Sequence, residues 1–122
     1  MNAGLANKTV LVLSSSEALY KAIELNLNHH LGVRVDKFTP SLLRQRPNST
    51  KVHCDLVVAA ALSPASRQIV NLFKNSLAGQ IVPLVVISDQ PLGFKSNGKT
   101  IVMDFPFDIN ELYNQVREIL ER

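Results

Sequence analysis

The stretch Asp55-Leu-Val-Val-Ala-Ala-Ala-Leu-Ser-Pro64 decides the fold of this chain. Residues 56–62 are apolar without a break, far short of the roughly 20 apolar residues that span a bilayer. Such a run has strand length, and no polar alternation marks a side that faces water. Ser63 then stands where a helix N-cap belongs. Pro64 takes the first helical position, where a missing N–H costs nothing. The segment reads as a buried strand, Leu56–Ala60, followed by a helix whose inner face carries Ile69, Val70, Phe73 and Leu77.

The same pattern recurs along the chain. Thr9–Leu13 is another continuous apolar run, as a strand covered on both faces requires. Ser16 is placed to cap the next helix, with Glu17 in its first turn. Leu19, Ile23, Leu27 and Leu31 follow at every fourth residue, and Gly32 ends the helix. Residues 33–38 read as the second strand, and residues 41–45 as at most a short helix before Pro47. Residues 81–87 read as the fourth strand, where Pro83 delays pairing until after it. Residues 101–103 read as the fifth. Asp108 and Glu111 form a capping-box pattern that opens a last helix, with Leu112, Val116 and Ile119 turned inward. Strand-length runs alternating with helical periodicity argue an α/β domain with a mostly parallel sheet. Residues 1–122 are read as one domain, long enough to bury a core without disulfides or metal.

Composition narrows the function. Thirteen basic against ten acidic residues give a net charge of +3, and the basic residues are scattered. Their one local cluster, Arg44, Arg46 and Lys51, reads as a solvated loop. Nucleic-acid binding asks for clustered positive contacts to phosphate, so the balance argues against it. The single cysteine, Cys54, cannot form an internal disulfide, which fits a reducing cytoplasm. No run is long enough for a membrane span, and residues 1–8 lack a signal-peptide core. The expectation is a cytoplasmic protein, in which the sequons at Asn7 and Asn48 are chance matches. His29 and His30 suit a helix end better than a metal site, and His53 stands alone. Ser96 and Lys99 match a nucleophile spacing in a turn rather than at a helix start. No metal or cofactor is expected.

Three blocks carry a resemblance. Asp55 to Pro64 is similar to the pattern D-L-V-x-x-D-x-x-x-P, and Val82-Pro-Leu-Val-Val-Ile-Ser88 reads as the strand that follows it. Met103-Asp-Phe-Pro-Phe-Asp-Ile-Asn-Glu-Leu112 resembles L-x-K-P-F-x-x-x-E-L. Together they resemble the receiver domain of response regulators in bacterial two-component signalling and phosphorelay, over nearly the whole chain. The resemblance implies a flavodoxin/CheY-like fold, a doubly wound five-stranded parallel sheet of order 2-1-3-4-5. It also locates the family's chemistry. The phosphate-accepting aspartate falls at Ala60, and the two magnesium-holding acids at Ser14 and Ser15. The lysine falls at Phe105 and the aromatic switch residue at Val102, while the family's threonine or serine survives as Ser88. Magnesium asks for anionic oxygen, and phosphoryl transfer rests on metal, nucleophile and cation together. The resemblance therefore implies a degenerate pseudo-receiver with no enzymatic activity, acting without phosphorylation through protein–protein interaction.

No other carboxylate replaces the missing one. Asp55 lies five residues before Ala60, roughly 16 Å away at the other end of a strand. Glu17, Asp89 and Asp104 fall near the carboxyl edge, where doubly wound folds place their ligand crevice. Asp89 reads either as a plain loop aspartate or as a fixed charge that holds an active-like loop. Residues 89–99 contain Pro91, Gly93 and the turn signal Ser96-Asn-Gly98. They are too short for the family's usual connection, so the fourth helix is expected to be short or missing. The apolar sheet surface so uncovered is closed by Leu92 and Phe94 folding back, or by a protein partner, an effector domain or a second copy of the chain. Asp89, Leu92, Phe94 and Val102 mark that partner face. The alternative is a small-ligand or anion sensor using Ser14, Ser15 and Ser16 at a helix N-terminus, although no glycine-rich nucleotide loop is present. A third reading is an enzyme with relocated acids.

Overall fold

Strands that are apolar on both sides can be buried only between two layers of helix, and that arrangement forms. The computed structural model describes residues 5, 7–38, 54–76, 81–92 and 99–121. Its strands are β1 (Thr9–Leu13), β2 (Arg34–Lys37), β3 (Leu56–Ala60), β4 (Leu84–Ser88) and β5 (Thr100–Asp104). Its helices are α1 (Glu17–Leu31), α2 (Pro64–Lys74) and α3 (Ile109–Leu120). The sheet is parallel throughout and runs β2-β1-β3-β4-β5, the doubly wound order that the resemblance implies. Every residue of β3 and β4 is buried, while the edge strands β2 and β5 mix buried and exposed positions.

Alternation along each strand divides the core in two. Val10 and Val12, Leu56 and Val58, Val85 and Ile87, and Met103 meet α1 and α3 through Ile23, Leu27, Leu112 and Val116. The intervening residues Leu11, Leu13, Val57, Ala59, Leu84 and Val86 turn to the other face, against Phe38 and the α2 residues Val70 and Phe73. The rings of Phe38 and Phe73 meet edge to face at 5.5 Å, a geometry that adds about 0.5–1.5 kcal/mol to their burial. Leu19 and Ile69, read as inner-face residues, are only half-buried at the margins of these clusters.

Local signals set the helix ends. The Ser16 side chain accepts from the Leu19 N–H, and α1 closes at Gly32 with φ 70°. The Ser63 side chain accepts from the Ser66 N–H ahead of Pro64. Asp108 caps α3 through the N–H of Asn110, one residue before the partner that the capping-box pattern names. Residues 81–83 do not join β4, which begins at Leu84. Pro83 has no N–H to give a ladder, and only its carbonyl takes part, accepting from Val57 at 3.0 Å.

Three helices, α1, α2 and α3, lie fully within the described residues. Residues 41–45, Arg44, Arg46, Asn48, Lys51, His53 and Leu77 lie outside them. Between β4 and β5 the described residues 89–92 and 99 contain no helix, and Phe94, Ser96 and Gly98 lie outside. No helix of the described residues is long and apolar enough to cross a membrane.

Gly32 offers a direct test of the α1 boundary. A Cβ built there meets nothing within 4 Å, so the cost of Gly32→Ala is that of a left-handed backbone alone, roughly 1–2 kcal/mol. Urea titration is expected to show a lower midpoint at unchanged slope, with Gly32→Asn losing less.

Candidate functional site at the carboxyl edge of the sheet

Strand register gathers the implied site residues. Leu13 is level with Ala59, Ala60 with Ile87, and Ser88 with Asp104. Ser14, Ser15, Ala60, Ser88 and Phe105 therefore stand at one edge of the sheet, at the ends of four neighbouring strands. The five positions that the resemblance gives to the chemistry lie together, while Val102, the implied switch position, sits within β5.

The side chains at that edge are occupied or inert. The Ser14 hydroxyl donates to the Ser16 carbonyl at 2.9 Å and accepts the Ser16 N–H at 3.1 Å. Ser16 Oγ in turn accepts the Leu19 N–H at 3.2 Å. Hydroxyls of this kind close local turns readily, and here the turn uses groups that an anion would need. Ser15 is exposed. Ala60 is 1% exposed and presents a methyl group. Ser88 is buried; its hydroxyl donates to the Gln90 carbonyl at 2.8 Å and accepts the Gln90 N–H at 3.2 Å. Phe105 is 41% exposed, with its N–H on the Ser88 carbonyl at 2.9 Å and its ring 6.3 Å from that of Phe107.

Glu17 and Asp89, two of the acids near this edge, are paired with cations. Glu17 receives Lys37 Nζ at 3.0 Å, and Asp89 lies 3.7 Å from Arg67 of α2. Asp104 is exposed at the end of β5. Asp55 is at the opposite edge, where it accepts the Thr9 N–H at 2.9 Å and faces Lys8 at 4.0 Å. Among the described residues no three His, Cys, Asp or Glu side chains gather to hold a metal. At the positions that the resemblance gives to the metal site stand two serine hydroxyls and an alanine methyl that can donate nothing, a set that does not fit a magnesium ion.

Of the partner-face residues, Asp89 is exposed and Leu92 packs at the margin of the α2-side core. Val102 is half-buried; its neighbours Ile101 and Met103 pack toward α1 and α3, which turns it to the α2 side. Phe94 lies outside the described residues. Sequence reasoning did not single out Arg67 or Lys37. Arg67 is one turn beyond the Ser63 cap, and its approach to Asp89 depends on where α2 sits against the sheet.

No family model matches the chain, and no curated protein matches it in sequence. Solved structures match its fold. A putative response regulator from Chloroflexus aurantiacus superposes with TM-score 0.70 at 19% identity, covering 94% of this chain and 98% of its own. The receiver domain of a sensor histidine kinase from Pseudomonas aeruginosa, with a magnesium ion coordinated in its active-site cleft, gives 0.68 at 15% identity, covering 95% and 99%. A putative pilus assembly-related protein from Burkholderia pseudomallei gives 0.68 at 12%, covering 96% and 92%. The chain has the CheY-like receiver fold over nearly its full length.

Two measurements test the chemistry of the edge and its surroundings. Millimolar magnesium chloride is expected to leave Tm unchanged, because an ion held by the native state would raise it. Burial, with the charge of Asp55 adding, pushes the Cys54 thiol up to about 11. Iodoacetamide near neutral pH is expected to leave it unlabelled until urea unfolds the chain.

Proposed function

We propose that this chain is a pseudo-receiver, a signalling or scaffolding domain that works by binding other proteins and needs no phosphorylation. One observation carries the reading: a buried alanine methyl occupies the acceptor position at the carboxyl edge. The losses around it support the same view. Two hydroxyls replace the metal-holding acids, a phenyl ring replaces the cation, and the surviving Ser88 hydroxyl is spent on Gln90. Without nucleophile, metal and cation, no part of phosphoryl transfer has a group to perform it. The domain is read as non-enzymatic and cytoplasmic, with an effector domain, a separate protein or a second copy as its partner. The anion-sensor alternative is less well supported, because the Ser14 and Ser16 hydroxyls are committed within their own loop.

Acetyl phosphate or beryllofluoride with magnesium provides the test. Intact-mass spectrometry is expected to find no phosphoryl adduct, and amide NMR spectra are expected not to move. An adduct at any residue of the carboxyl edge would overturn the reading. Sedimentation across a range of concentrations separates a self-partnering domain, whose mass rises with concentration, from one that waits for another protein.

A further inference from the structure

We propose that Arg67 and Asp89, with the Ser88 hydroxyl turned into its own loop, pin the segment leaving β4 onto α2, so that the carboxyl edge keeps one conformation without a ligand. This rests on the phosphorylation-independent reading above and supplies its mechanism.

The segment leaves the sheet at Ser88 and passes directly beside the crevice. A serine hydroxyl has a single proton. The Ser88 proton goes to the Gln90 carbonyl at 2.8 Å, nearer than the Ala61 carbonyl at 3.5 Å, and the oxygen accepts the Gln90 N–H in return. Nothing is left to donate to an anion in the crevice. One residue on, Asp89 Oδ1 lies 3.7 Å from Arg67 Nη1. The Arg67 side chain is only 22% exposed, so protein shields its charge from solvent more than at an open surface pair. Arg67 rises from the first turns of α2, an element fixed by the Ser63 cap and by burial of Val70 and Phe73. Pro91 then restricts the backbone, and Leu92 drops onto the core that α2 covers. The Phe105 N–H holds the Ser88 carbonyl from the β5 side at 2.9 Å.

These contacts form a clasp in which each part restrains the next, and none of them passes through Ala60, Ser14 or Ser15. A loop that depended on phosphate would leave its hydroxyl able to turn toward the crevice. Here charge within the protein does the holding, so a partner on this side meets a permanently set surface. An ion pair of this exposure adds little to overall stability, so its effect is read in local order instead.

Nitrogen-15 relaxation on the full chain tests this. Backbone order parameters at Asp89, Gln90 and Leu92 are expected near the rigid value of about 0.85 in the wild type, and to fall toward about 0.6 in Arg67→Ala or Asp89→Ala. The double variant is expected to be no looser than either single one, and the exchanged pair Arg67→Asp with Asp89→Arg to recover order. Single variants as rigid as the wild type, or losses that add in the double variant, would overturn the pin. Treating the same samples with acetyl phosphate and magnesium separates the two claims. A phosphoryl adduct counts against the inert crevice, whereas mobile amides at 89–92 in untreated wild type count against the pin alone.

Discussion

Burial of β3 on both faces and along both edges is the constraint from which the rest follows. Leu56, Val57 and Val58 are each at most 1% exposed, and hiding such a side chain contributes about 1.5–3 kcal/mol. A strand with no side that tolerates water needs a strand on each flank and a helix layer above and below. β1 and β4 supply the flanks, and parallel pairing then forces each connection to cross the sheet before the next strand begins. All five strands end at the same edge as a result. The positions that a receiver uses for chemistry are gathered there by topology, whatever side chains occupy them.

That separation of scaffold from crevice lets the fold form whatever side chains stand at the carboxyl edge. The core uses the strand interiors, and the crevice uses the last residue of a strand or the one or two that follow it. Ser14, Ser15 and Ala60 belong to neither packed cluster. An alanine at position 60 even removes the need to solvate a charge beside buried Ala59 and Ala61. The edge has become electrically quieter in the middle, while its charges at Glu17 and Asp89 are drawn outward to Lys37 and Arg67.

The fold was legible because its determinants are short-range. β1, α1 and β3 follow from apolar runs, a serine cap and a glycine stop within a few residues of each other, and Pro83 announces where β4 can begin. The carboxyl edge was legible only in identity: the resemblance aligns Ala60 with an acid and leaves open what the serines do. Ser14 could have faced a ligand or its own turn, and only backbone geometry resolves which. Glu17 with Lys37, and Arg67 with Asp89, are pairs made between helix and strand and between helix and loop. Separation along the chain carries no trace of them, because they depend on the register of β2 and the placement of α2.

The outer strand β2 has a further consequence. Arg34, Asp36 and Lys37 crowd its four residues with charge, and Arg34 is tied to Asp36 at 3.0 Å. A ribbon so decorated is a poor template for backbone-to-backbone addition of a neighbouring chain. Crowded in a cell, these molecules are guarded on that flank against growing into fibrils sheet by sheet. A neighbour that tried to extend the sheet on that flank would have to desolvate those charges first.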